Sequence, residues 1–260
     1  MNKRWWSALA GLCGLALFAV CEVSSHAQSS PVQPKPPMYS YIANWQIPRS
    51  HWSEVAQGTA GYKTVADKAL SDGTIVGYGF DEEVVHTADG DTHDDWWSSM
   101  SIAGLLKMRA QLFAAGTPTS PAMDAATKHW DEIMMSRYYN KKAGSYKNAY
   151  TWVAMYRLKP DAAGDTVETL SQNVIGPFLE KLFADGTILE YEIDELAVHT
   201  DSPETFSVVW VSPTPEGVDK VNMALRETVK AQPLIEPAFA SATKSSAHRD
   251  ELLLSEGAYK

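Results

Sequence analysis

DGTIVGYGFDEEVVHT, Asp72 to Thr87, recurs as DGTILEYEIDELAVHT, Asp185 to Thr200. The two stretches lie 113 residues apart and agree at ten of sixteen positions. Self-similarity of that length within one chain marks a duplicated structural unit, so any site built from the repeated residues comes as a pair. The flanking residues keep step. YSYIANWQI (Tyr39 to Ile47) aligns with YTWVAMYRL (Tyr150 to Leu158), and both alternate with the period of two that strands show.

A helix is expected after each of these strands. In the second copy Val167, Leu170, Val174, Leu179, Leu182 and Phe183 recur at helical spacing behind Asp165-Thr166-Val167-Glu168, which reads as a capping box. Asp185-Gly186 ends that helix and Asp72-Gly73 ends its counterpart, since glycine is favoured just past a helix terminus. The repeated block is the next strand. It leads into DDWWSSMS (Asp94 to Ser101) or SVVWVSPT (Ser207 to Thr214), then a second helix over Ile102 to Ala115 or Glu216 to Ala231. Each copy closes with a strand-like run, HWDEIMMS (His129 to Ser136) or HRDELLLS (His248 to Ser255).

The order is therefore βαββαβ, twice, which is the ferredoxin-like plait: two helices on one face of an antiparallel sheet. The sheet's other face reads as apolar and aromatic. Such a face is rarely left open on a soluble monomer, so the two sheets are expected to press together. Over most of residues 39–260 this order of elements resembles the dimeric α+β barrel superfamily, in which two plaits close a shared barrel. The resemblance implies an α+β fold of two tandem ferredoxin-like units forming a pseudo-dimeric barrel in one chain. It carries no functional residue. The superfamily spans cofactor-independent monooxygenases, haem-handling proteins, lactone isomerases and stress proteins, so fold alone does not choose an activity.

The N-terminus reads as a processing signal. Lys3 and Arg4 precede an apolar run from Ser7 to Cys21, and Ser25-His26-Ala27 has the small-x-small pattern of a cleavage site. The expected organisation is a signal peptide at 1–27, a proline-rich tether at 28–38, a first repeat at 39–147 and a second at 148–260, in an exported (periplasmic or extracellular) protein. Both cysteines, Cys13 and Cys21, fall in the signal, which excludes disulfides and thiolate chemistry from a cleaved chain. Cleavage would leave 20 basic and 31 acidic residues, a net charge of −11, which repels nucleic acid and anionic lipid. No membrane span is expected after cleavage.

On the repeated strand Tyr78, Glu82 and His86 share one face, and Tyr191, Glu195 and His199 share the equivalent face. If that stripe lines the barrel, Glu82, His86, Glu195 and His199 are candidate acid–base groups in a low-dielectric cavity, with Tyr78 and Tyr191 orienting a ligand. The plainer reading is that these residues close the pseudo-symmetric interface. Trp45, Trp97, Tyr156 and Trp210 fall on strands and would supply the aromatic lining; ordinary core packing explains them as well. An Asp89-Gly90 two-residue turn would set His86 opposite His93. However, the second copy has Phe206 at the His93 position, so a solvated acidic tip is preferred there to a metal site. His129-x-Asp131-Glu132 and His248-x-Asp250-Glu251, at the start of a closing strand, suit a cap or an inter-strand salt bridge. No cofactor is named by any motif, since glycine-rich phosphate loops, GxSxG, HExxH and paired CxxC are absent. The function expected is binding of a small, largely apolar or aromatic molecule between the facing sheets, with acid–base or cofactor-independent oxygen chemistry. The alternative is a non-catalytic envelope protein with a packed interior that acts through a protein partner.

Overall fold

The computed structural model describes residues 30–117, 120–200 and 202–260. The segment read as a signal peptide, with both cysteines, lies outside the described residues. The first repeat runs β1 (Met38–Gln46), α1 (Trp52–Asp72), β2 (Gly77–Glu83), β3 (His93–Ser99), α2 (Ile102–Ala114), a single turn α3 (Pro121–Asp124) and β4 (Lys128–Lys141). The second runs β5 (Gly144–Arg157), α4 (Thr166–Leu170), a π turn over Ser171–Ile175, α5 (Gly176–Ala184), β6 (Glu190–Leu196), β7 (Thr205–Ser212), α6 (Pro215–Ala231), α7 (Ile235–Ala242) and β8 (Arg249–Tyr259).

All eight strands form one closed antiparallel barrel in the order β1-β3-β2-β8-β5-β7-β6-β4. Each plait contributes four consecutive staves, and two seams join them. Gly77↔Tyr259 through Glu83↔Leu253 forms one, and Met134↔Leu196 through Lys141↔Glu190 forms the other. Closure leaves no sheet edge to template association.

The expected Asp-Gly helix ends are present. Gly73 and Gly186 take left-handed φ values of 80° and 82°, and Asp72 and Asp185 each accept the backbone N–H two residues on at 2.9 Å. Ser101 and Thr214 cap α2 and α6 through their hydroxyls. Asp165 makes no capping bond, and its helix is not continuous. In the π turn Gly176 N–H reaches Ser171 O, and Pro177, having no N–H, leaves the Gln172 carbonyl without a helical donor. Val32 N–H fills that vacancy at 2.9 Å. Lys35 N–H donates to Arg137 O at 2.7 Å, and Tyr139 Oη–H donates to Pro36 O at 3.0 Å. The proline-rich residues 32–36 are therefore strapped across β4 of the first repeat and the π turn of the second.

Two apolar cores result, each between a sheet and its own helices. Tyr41, Tyr62, Ala66, Tyr78, Trp97, Leu105 and Met108 form one; Leu170, Leu179, Tyr191, Phe206, Trp210 and Val221 form the other. The aromatic faces thus meet helices, not one another. This corrects the expectation of apolar sheets pressed together. The alternation along each strand is as read, but a plait's helices take the more aromatic face, and the barrel encloses the other, on which carboxyls mix with Ile42, Met134, Val153, Val209 and Leu253. Among the described residues no helix is long and apolar enough to cross a membrane.

Candidate functional site

The four residues expected to act together inside the barrel are not there. β2 ends at Glu83 and β6 at Leu196, so His86 and His199 lie beyond the strands and are exposed. Glu82 and Glu195, also exposed, stand on the outer, helix-bearing side. On that side Tyr78 Oη–H donates to Asp67 of α1 at 2.5 Å and Tyr191 Oη–H donates to Glu180 of α5 at 2.6 Å. Trp97 stacks on Tyr41 at 4.2 Å between ring centres, and Trp210 on Trp152 at 5.8 Å. Trp45 stacks on His129 at 3.7 Å and Tyr156 on His248 at 4.5 Å. Both histidines donate Nδ1–H to a carbonyl of the neighbouring strand, 3.0 Å away, and each sits 3.3 Å from the aspartate two residues further along its own run, Asp131 or Asp250, so these ion pairs are local and not the inter-strand ones expected.

The β2–β3 register also differs from a two-residue turn. Glu82, not His86, lies opposite His93, and residues 84–92 form a longer loop. His86 and His93 still meet a common partner, Trp52 at the start of α1: one ring stacks on it at 4.8 Å and the other presents an edge at 5.6 Å.

Trp52 and His93 open onto a cavity of about 260 Å³ between α1, α3 and the outer face of the first repeat's sheet. Trp45, Trp52 and Phe80 give it aromatic walls, and Glu82, His93 and Asp95 give it charge-bearing ones. A smaller space of about 80 Å³, reaching Tyr62 and Arg109, shares Trp45 and Asp95 with it. Burial, and then the nearby His86, lower the His93 pKa to about 4, so its ring is neutral at pH 7. Its Nδ1 lies 3.0 Å from Thr92 Oγ1. That hydroxyl also reaches the Trp45 carbonyl at 3.2 Å; with its proton directed there it accepts from Nδ1–H, the tautomer that leaves the lone pair on Nε2. Burial and the charge of Asp131 raise Asp95 to about 7 against the hydrogen bond it accepts from Trp45 Nε1–H at 2.9 Å.

The second repeat fills the corresponding space. Phe206 stands at the position of His93, and its ring stacks on Tyr156 at 5.2 Å. Phe239 closes over both, 4.9 Å from Tyr156 and 6.3 Å from Phe206.

The barrel interior holds a cavity of about 140 Å³, and it is acidic. Asp81, Asp94, Glu190, Glu192 and Asp194 project into it, with Trp96, Tyr146 and Tyr259. Burial raises all five carboxyls, and each is further raised by its neighbours or held by bonds among them: Asp81 to Asp94, Glu190 to Glu192, Glu192 to Asp194. Tyr259 Oη–H also bonds Glu190, and Trp96 Nε1–H donates to Asp81 at 2.9 Å. Asp81 Oδ1 and Asp194 Oδ1 are buried with no partner. Sequence reasoning missed this site. Its signal was present, since Asp81 and Asp194 repeat and alternate with the apolar stripe, but a polar stripe on an isolated strand reads as a solvent face.

No protein-family model matches the chain, and no curated protein is similar to it. Similarity is found among solved structures. A candidate monooxygenase from Lactobacillus acidophilus NCFM superposes with a TM-score of 0.59 at 11% identity, over 85% of this chain and 94% of that one. A second candidate monooxygenase, from Fusobacterium nucleatum, gives 0.59 at 8% identity over 87% and 95%. An anthrone oxidase-like protein gives 0.51 at 7% identity over 85% and 92%. This chain therefore has the fold of the dimeric α+β barrel superfamily, with both halves of the barrel in one polypeptide.

Proposed function

We propose that the protein binds a small aromatic molecule in the cleft of the first repeat and removes a proton from it with His93. The observation that carries this reading is the His93–Phe206 difference. One duplicated unit keeps a cavity where the other packs three aromatic rings. Aromatic walls with a few convergent polar groups are the usual character of a small-molecule site. A neutral imidazole with its lone pair on Nε2 is the form a general base requires. The names of the neighbours, two candidate monooxygenases and an anthrone oxidase-like protein, favour oxygen chemistry. In this reading an activated CH₂ group loses a proton to His93, and the resulting anion reacts with dioxygen. One oxygen atom becomes the new carbonyl and the other leaves as water. The candidate site thus moves from between the sheets to the outside of the barrel. Export after cleavage at Ala27 belongs to the same proposal and predicts a mature chain beginning at Gln28.

Anthrone serves as the probe. Saturable quenching of tryptophan fluorescence and oxygen uptake with formation of the quinone are expected. His93→Phe, which copies the second repeat, should lower the rate by about 10²–10⁴-fold, as loss of a general base does. Unsaturable quenching, or an unchanged rate in His93→Phe, sinks the reading in favour of a non-catalytic protein.

A further inference from the structure

We infer that Glu83, Asp91 and Glu251 form a binding site for a hard divalent cation, Ca²⁺ or Mn²⁺, at the end of the barrel where β2 turns toward β3. One oxygen of each carboxyl lies within 4.8 Å of the other two. An ion held at about 2.3–2.6 Å sets its ligand oxygens no more than about 5 Å apart, so all three can meet one cation. Acidic groups gather on many surfaces without a metal, but Glu83 is not at the surface. It is 4% exposed, and its Oε2 has no hydrogen-bond partner. Asp91 is 5% exposed. Such an orphaned buried carboxylate oxygen asks for a proton or a cation.

The fold fixes the three together. Glu83 closes β2, and its N–H donates to Thr92 O at 3.0 Å, which sets Asp91 beside it. Glu251 comes from β8 across the seam, two residues from Leu253, the register partner of Glu83. The site therefore spans both repeats. It is single, because the other seam has Leu196 at the position of Glu83.

Charge and ligand type narrow the occupant. Among the described residues Arg249 is the cation beside the three carboxylates, its guanidinium 2.7 Å from Glu251 and half exposed, while Asp81 and Glu132 add negative charge nearby. The cluster is left with excess negative charge, which favours a divalent over a monovalent ion. No histidine or cysteine belongs to the set, so oxygen-preferring ions are selected over zinc or copper. Asp91 and Glu251 also line the interior cavity of about 140 Å³, which has room for the waters that complete a coordination shell. The site shares no residue with the His93 cleft.

The test uses the full mature chain, freed of metal by a chelator and held at pH 8.5. Ca²⁺ is titrated by calorimetry and Mn²⁺ by loss of its free electron-spin signal. One saturable ion per chain is expected, binding below about 1 mM, the range of extracellular Ca²⁺ modules. Glu83→Gln and Asp91→Asn, both near-isosteric, should weaken it at least tenfold, whereas Glu216→Gln on the surface of α6 should not. Ca²⁺ should raise the thermal midpoint of the wild type and not of Glu251→Gln, and circular dichroism checks that each variant is folded. Absence of saturable binding up to about 10 mM, or wild-type affinity in folded Glu83→Gln, overturns the inference. His93→Phe should bind the ion normally, so this test and that of the cleft fail separately.

Discussion

The two repeats descend from one pattern, yet they spend their space differently. On the helix side the first keeps a cavity behind His93 and Trp52, and the second closes it with Phe206, Tyr156 and Phe239. Inside the barrel the contrast reverses. The first repeat has Gly77 and Gly79 where the second has Glu190 and Glu192. The glycines leave room for rings: a Cβ on Gly79 would lie 2.5 Å from Trp96, and one on Gly77 would meet Tyr259. The second repeat supplies carboxyls, and one of them, on Glu190, binds that same tyrosine. Each half provides what the other lacks, so the barrel is pseudo-symmetric in backbone and complementary in side chains.

The largest expected effect comes from exchanging the two cleft residues the other way. Phe206→His would put an imidazole, without a polar partner, into a fully buried ring cluster. It should destabilise by about 3–5 kcal/mol in denaturant melts, the range of Phe→Ala in a core. A loss below about 1 kcal/mol would mean that the second repeat's core is not closed as described.

Gly79→Ala tests the interior contrast. With Trp96 held by its bond to Asp81, the ring cannot retreat freely, and overpacking of this kind costs about 1–3 kcal/mol. Glu192→Gln at the equivalent position should cost little or stabilise above neutral pH, because it removes a buried carboxyl whose ionisation is disfavoured. Equal losses in the two variants would erase the distinction.

The interior acids also set a pH dependence. Asp81 is raised to about 6, Glu251 to about 7 and Glu83 to about 8, chiefly by burial. In the unfolded chain such groups titrate near 4. The folded state therefore holds their protons more tightly, and that advantage is complete below about pH 4 and lost as pH rises through 6 to 8. His93, lowered to about 4, works oppositely: its contribution is present above about 6.5 and lost as pH falls toward 4. The acids outnumber it. In chelator, the thermal midpoint should fall by several degrees from pH 5.5 to pH 8.5, and Asp81→Asn should flatten the slope. A midpoint that climbs over that range would show the carboxyls to be ionised and compensated.

The smallest effect belongs to what both halves share. His129–Asp131 and His248–Asp250 are half-exposed pairs, so Asp131→Asn and Asp250→Asn should each change stability by less than about 1 kcal/mol, and alike.

Much of the fold was legible. The 113-residue repeat, the period-two strands and the Asp-Gly helix ends gave the element order, because each rests on local backbone geometry. The candidate site was less legible. Alternation told that Tyr78, Glu82 and His86 differ in side from Asp81 and Glu83, but not which side faces inward. The β2–β3 loop length, which moved His93 opposite Glu82, depends on where closing the barrel ends the ladder. The strap on the π turn at Ser171–Ile175 depends on Val32 reaching the Gln172 carbonyl that Pro177 leaves without a donor, a contact between residues far apart in the chain.

By itself the sequence determined two copies of βαββαβ, their apolar stripes and the residue pairs that differ between them, since turns, caps and alternation act over a few residues. Only the tertiary structure decided that the carboxylate stripe is the enclosed one. Strands of two repeats had to pair at both seams before any face of β2 or β6 was shut off from water. A buried carboxyl acquires its altered proton affinity from that enclosure, not from its neighbours in the chain.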